Sequence, residues 1–161
     1  MGSATQERMK RVVVDHFGGP EVLRVVEGDV PQPGPGEVRV RVLAAGVSFT
    51  DAQLRAGTYL GVPKPPFTPG YDLVGVVEEL GPACSRLREG DRIAALTVWG
   101  ADAERVCVLE ANAVEVPDDL DPAEVVSLVL TYMTAYQLLH RTAKVKMPAR
   151  SAKVAKVCRR S

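Results

Sequence analysis

Cysteine and histidine are scarce in this chain: of 161 residues, three are Cys and two are His. Cys84, Cys107 and Cys158 lie far apart, are odd in number and form no Cys-x-x-Cys pair. That spacing excludes a disulfide framework and a four-cysteine zinc lobe, and it suits a reducing cytoplasm. Long apolar runs are also missing. The longest uncharged run, residues 125–139, contains Ser127, Thr131, Thr134 and Gln137 and is shorter than the ~20 residues that span a bilayer. Residues 1–8 are polar, carry no apolar signal-peptide core and read as a disordered leader before Met9. Twenty basic and twenty acidic residues cancel, which removes the general electrostatic argument for nucleic acid or an anionic membrane as partner. There is no internal repeat, and no glycine follows Gly100.

What is present is ordinary for a globular domain: 46% hydrophobic and 25% charged residues. A chain near this length buries roughly 70% of its unfolded surface, enough for a core. Glycine and proline punctuate the first two thirds. Residues 12–14 and 22–26 read as strands around the turn Gly18-Gly19-Pro20. Residues 37–42 alternate, with Val38, Val40 and Val42 on one face and Arg39 and Arg41 on the other, the period of a half-buried strand. Further strands are expected at 73–78, 92–97 and 105–109, and such short, evenly spaced strands predict a barrel or sandwich. Ser48 and Asp51 have capping-box spacing, which predicts a helix from about 49 to 55 ended by Gly57. Asp121, Pro122 and Glu124 open a second helix running to about 141, with a break near Thr131. His16 is expected in the first strand and His140 near the end of the second helix, both as surface or packing residues.

Four stretches together resemble the medium-chain dehydrogenase/reductase superfamily. Phe17-Gly18-Gly19-Pro20-Glu21-Val22-Leu23 is similar to its opening turn. Ala44-Ala45-Gly46-Val47-Ser48-Phe49-Thr50-Asp51, continuing to Gly57-Thr58-Tyr59, resembles its active-site helix. Pro69-Gly70-Tyr71-Asp72-Leu73-Val74-Gly75 with Gly90-Asp91-Arg92 resembles its central hairpins, and Leu130-Thr131-Tyr132-Met133-Thr134-Ala135-Tyr136 resembles the helix leading into its cofactor domain. The resemblance covers residues 9–146. It implies a mainly β fold with helices, a GroES-like bent β-barrel, without a complete Rossmann domain. Within the superfamily the chain resembles the zinc-independent quinone oxidoreductase branch. A catalytic zinc asks for Cys, His and carboxylate ligands around an open position; Ser48 and Tyr71 stand where zinc alcohol dehydrogenases have Cys and His, and Asp72 makes no site alone. The resemblance implies hydride transfer from NADPH to a quinone or enone, with Ser48 and Tyr59 as candidate catalytic residues, Ser48 and Thr134 as candidate cofactor contacts, and no metal. Purely structural roles compete at each: Ser48 and Asp51 as helix-capping residues, Tyr59 as packing against Pro63-Lys64-Pro65-Pro66, Thr134 as a helix residue.

A dinucleotide also needs a strand, a glycine-rich turn and a helix N-terminus for its pyrophosphate. In this superfamily that unit follows a segment like Thr142-Ala143-Lys144-Val145-Lys146. Here the next 15 residues hold no glycine and are too few for a βαβ unit. The sequence therefore predicts a leader at 1–8, a barrel domain at 9–120, a helical segment at 121–146 and a disordered basic tail at 147–161. Eight Lys or Arg and no acid occur from Arg141 onward. A frameshift, premature stop or artificial boundary near Lys146 is the first reading, and a tail that contacts an acidic partner the second. The chain alone is then expected to be the substrate-side half of an oxidoreductase that does not hold NADPH by itself; the alternative is a catalytically silent barrel serving as pseudoenzyme or interaction module. The helix at 121–141 is apolar on more than one face, which predicts dimerisation or aggregation through it. Substrate (quinone, enone, aldehyde or thioester) and NADPH against NADH stay open.

Overall fold

The computed structural model describes residues 7–145; residues 1–6 of the expected leader and the expected basic tail, with Cys158, lie outside the described residues. The chain divides into two compact units, Met1–Leu130 and Thr131–Ser161. In the first unit, β1 (Arg8–Val14) and β2 (Leu23–Asp29) form an antiparallel pair running from Arg8 opposite Asp29 to Val14 opposite Leu23. A single tight helical turn, Pro20–Val22, precedes β2, started by a proline whose missing N–H costs nothing there and closed by the buried Val22. His16 lies beyond β1 rather than within it, exposed, with Nδ1 3.4 Å from Asp15 Oδ2. The sequence places it in the strand because no glycine or proline interrupts the chain between Val12 and Gly18.

The second sheet has five antiparallel strands in the order β6-β3-β4-β5-β7, where β3 is Glu37–Ala45, β4 Asp72–Leu80, β5 Arg92–Leu96, β6 Arg105–Leu109 and β7 Ala113–Glu115. The alternation in β3 decides its faces. Val38 and Val40 are fully buried with Leu73, Val77, Ile93 and Val108. On the opposite face Arg39 Nη1 lies 2.6 Å from Glu79 Oε2, and Arg105 Nε lies 2.8 Å from Glu78 Oε2. Among the described residues β6 and β7, the end strands, pair with no further strand, so the barrel is mainly β and bent but not closed by hydrogen bonds. The three-residue β7 is too short to stand out in the sequence.

Two register shifts in β3, between Arg39 and Val40 and between Val42 and Ala44, bend the strand. A bulge inserts an unpaired residue and re-aims the side chains beyond it. Ala44 accordingly packs with Val74, Ala94, Val125 and Val126 in a separate cluster rather than in the main core. Helix α1 (Phe49–Ala56) follows and buries Leu54 completely against Val14, Val22 and Phe67. It stops at Gly57, whose φ of +74° is left-handed and whose missing Cβ leaves room for the Phe17 ring.

Helix α2 (Pro122–Ser127) is capped as the sequence implies: Asp121 Oδ1 accepts from the Ala123 and Glu124 N–H groups at 2.8 and 3.1 Å. Val125 and Val126 are the residues it buries. The helical chain then widens into a π-type stretch over Leu128–Tyr132, which contains the expected break at Thr131. The second unit holds α3 (Met133–Gln137) and another π-type stretch over Leu138–Thr142. In it Tyr132, Met133, Tyr136, Leu138 and Leu139 are each more than half exposed. Among the described residues no helix is long and apolar enough to cross a membrane.

Leu54→Ala removes a fully enclosed side chain and is expected to lower the unfolding free energy by about 2–5 kcal/mol. Asp121→Ala removes only a cap, at about 1 kcal/mol. Urea denaturation of both variants checks the order; a cap variant as damaged as the core variant contradicts this assignment of the core.

Candidate active site

Three backbone segments converge on the start of β4. The first is the turn after β3, where the Gly46 N–H donates to Asp72 Oδ1 at 3.1 Å and to the Asp72 carbonyl at 3.3 Å. Glycine is required at this turn because a Cβ on residue 46 would overlap the Asp72 carboxylate. The second is the N-terminus of α1. Ser48 takes the extended backbone of an N-cap, and both its N–H and its hydroxyl donate to Asp51 Oδ2 at 2.7 Å. The third is Gly70, whose N–H donates to Asp51 Oδ1 at 3.2 Å. One buried carboxylate thus takes three donors. It fixes the helix start to the turn before β4, and the Ser48 side chain accepts from the Asp51 N–H in a capping box, which leaves one Ser48 lone pair to accept from elsewhere.

Tyr59 and Tyr71 stand next to this frame. Tyr59 is on the loop after α1 and Tyr71 on the turn before β4. Both are half-buried and pack against the cluster around Leu54 and Phe67. Their hydroxyls lie 3.4 Å apart. The Tyr71 backbone is held firmly, since its carbonyl accepts from Thr97 and Val98 at 2.8 and 3.2 Å and the Thr97 hydroxyl donates to the Gly70 carbonyl at 2.9 Å. The hydrogen bond with Tyr59 pushes the Tyr71 phenol up to about 12, aided by burial and by the negative charge of Asp51.

Asp72 is 3% exposed, with its second oxygen accepting from the Leu130 N–H at 3.1 Å. Burial raises its carboxyl above the usual range, and the two N–H donors only partly offset that. Asp102 is a third carboxyl, lining a cavity of about 210 Å³ with Ser48, Asp51, Arg55 and Pro69. Burial, then the charges of Asp51 and Asp72, push it up to about 6. Among the described residues no group of three or more His, Cys, Asp or Glu side chains is placed to hold a metal ion. Cys107 is pushed up to about 11 by burial and by Glu37, so it stays a thiol at neutral pH.

Of the residues singled out in the sequence, Ser48 is therefore linked to Tyr59 through Asp51, Gly70 and Tyr71, while Thr134 is an exposed residue of α3 in the second unit. Sequence reasoning weighed Tyr71 and Asp72 as failed metal ligands and missed what they do: one meets Tyr59, the other straps Gly46 to Leu130. Their place directly after Gly70 was the available signal. Asp102 carried no signal, being 51 residues from Asp51 and outside any pattern.

The alcohol dehydrogenase GroES-like domain family matches residues 34–118, more than half of the chain. The chain belongs to this family, within the medium-chain dehydrogenase/reductase superfamily. It is 36% identical over 143 residues to the human quinone oxidoreductase, which covers 88% of this chain and 44% of that protein. The crystal structure of the human synaptic vesicle membrane protein VAT-1 homolog-like protein superposes with a TM-score of 0.83 at 34% identity, covering 87% of this chain and 45% of that one. The Escherichia coli quinone oxidoreductase complexed with NADPH superposes with a TM-score of 0.78 at 28% identity, covering 83% and 41%. The chain spans between a third and a little under half of the curated relatives it matches.

The Asp102 shift has a direction in pH. Its folded carboxyl titrates near 6 against a reference of 3.8, so the folded state holds the proton longer than the unfolded one. Stability is therefore greatest below the reference value and falls as pH rises toward and through 6. Asp102→Asn is expected to raise the melting temperature at pH 7–8 and to leave it nearly unchanged at pH 4. A gain of equal size at both pH values contradicts the buried-carboxyl account.

Proposed function

We propose that this chain is the substrate-side domain of an NADPH-dependent, zinc-independent quinone or enone reductase that works in the cytoplasm. The observation that carries the reading is the Ser48–Asp51 and Tyr59–Tyr71 arrangement in a chain 36% identical to a quinone oxidoreductase. Reduction of a quinone or activated alkene places negative charge on the substrate oxygen, and a fixed donor aimed there lowers the barrier. Tyr59 is the donor: its phenol stands half-buried beside that of Tyr71 and carries an O–H that can be given to a substrate oxygen. Ser48, with its proton committed to Asp51, acts as an acceptor, suited to a ribose hydroxyl or carboxamide N–H.

Zinc does not fit these residues. The Tyr71 proton is held tightly, both Asp72 oxygens already accept N–H groups, and Ser48 is a poor ligand. The pyrophosphate of NADPH does not fit either, because the Gly18-Gly19-Pro20 turn opens only the three-residue helical turn Pro20–Val22 and, among the described residues, no glycine-rich turn opens a longer helix after a strand. Ser48 is proposed to meet only the nicotinamide end, where NADPH, when bound, supplies the hydride. The exposed apolar residues of the second unit support a role for that unit in burial against another surface, a second copy included.

The test is NADPH oxidation with menadione, before and after chelation, by this domain joined to the dinucleotide-binding part of a quinone oxidoreductase relative. The expected result is turnover that EDTA leaves unchanged and that Tyr59→Phe lowers about 10²-fold in kcat/KM. Activity lost to the chelator and restored by zinc, or an unaffected Tyr59→Phe variant, contradicts the proposal.

A further inference from the structure

The two tyrosines at the site are not equivalent in how they are held. Tyr71 sits between Gly70 and Asp72, and every neighbour there is bonded: Gly70 to Asp51, the Tyr71 carbonyl to Thr97 and Val98, and Asp72 to Gly46 and Leu130. Tyr59 sits on a loop between the exposed Thr58 and Leu60, the latter 96% exposed, and its hydroxyl meets only that of Tyr71 among the described residues. The loop is tied by the Thr58 N–H to the Gln53 carbonyl at 3.0 Å and by the Val62 N–H to the Tyr59 carbonyl at 3.3 Å, which leaves the Tyr59 hydroxyl to take its direction from the partner it meets. Of two hydroxyls 3.4 Å apart, one donates and the other accepts, so the pair has one proton that points elsewhere.

We infer that Tyr71 is the positioning residue for Tyr59: from a backbone held on both sides, its hydroxyl engages the Tyr59 hydroxyl and fixes the direction in which Tyr59 presents its own proton to a substrate oxygen. The inference rests on the reductase reading for its substrate, and on the 3.4 Å contact alone for the pair. Tyr71 touches no reacting atom in this scheme. The contact with Tyr59, burial and the charge of Asp51 all favour its neutral form, which keeps the Tyr71 phenol protonated as pH rises.

The experiment has two arms. In the first, the chain is labelled with fluorotyrosine, which titrates low enough to spare the fold, and followed by fluorine NMR. Tyr71 is expected to titrate above free fluorotyrosine, and Tyr59→Phe is expected to bring it down. An unchanged Tyr71 titration in Tyr59→Phe overturns the inference whatever the ligand. In the second arm, menadione binding is read by quenching of Trp99, the single tryptophan. Tyr59→Phe and Tyr71→Phe are each expected to weaken binding about fivefold, the worth of one hydrogen bond, and the double variant to be no weaker than either. Additive losses, or a Tyr71→Phe variant that binds as the parent does, overturn the positioning role. If the parent chain binds no menadione while the titrations are coupled, the quinone reading fails and the tyrosine pair stands.

Discussion

The site depends on one buried carboxylate. Asp51 accepts from the N–H and hydroxyl of Ser48 and from the N–H of Gly70. Each of these donors would be left unsatisfied in a largely buried place if Asp51 were lost, at about 1–3 kcal/mol per group. The same carboxylate caps α1, so the helix start and the turn into β4 cannot move independently. Ser48 and Tyr71, 23 residues apart in the chain, become neighbours on one frame. Asp72 repeats the device one step further on, tying Gly46 to Leu130.

The sheet prepares this frame. The alternation of valine and arginine in β3 commits one face to the main core, and the bulge at Val42/Ala44 then releases the strand from it. Without that shift the chain would leave β3 pointing Ala44 into the same core as Val40, and Gly46 would not reach the Asp72 carboxylate. Leu54 and Phe67 close the space under α1 and give the two tyrosines an apolar wall. Burial next to Asp51 and Tyr59 then makes Tyr71 a phenol that does not ionise at working pH. The chemistry available is hydrogen bonding to an oxygen, from hydroxyls whose partners are already chosen.

Much of the architecture was legible because it rests on local rules. The period in residues 37–42 marked both faces of β3, the Ser48/Asp51 spacing marked α1, and Asp121-Pro122 marked α2. The capping residue Asp51 was even named, but its third donor was not, since Gly70 is reached only through the tertiary fold. The same holds for Tyr59 and Tyr71: the sequence singled out both, one as a candidate catalytic residue and one standing where a metal ligand is missing, and only the fold brings their hydroxyls together. β7 is too short for any period to show. The helix expected over 121–141 is broken into α-helical and π-type stretches, and the hydrophobic pattern could suggest a break near Thr131 but not its form. Asp102 was invisible because a single carboxyl in a loop carries no pattern.

Amide hydrogen exchange at Ser48 and Gly70 tests the central claim, that the Asp51 carboxylate joins the helix start to the β4 turn. The account predicts protection of both amides in the parent chain. It also predicts that Asp51→Ala removes the protection at both together, while the amides of β3 and β4 stay protected. Fast exchange at either amide in the parent chain, or a Gly70 amide that is indifferent to Asp51→Ala, would contradict it.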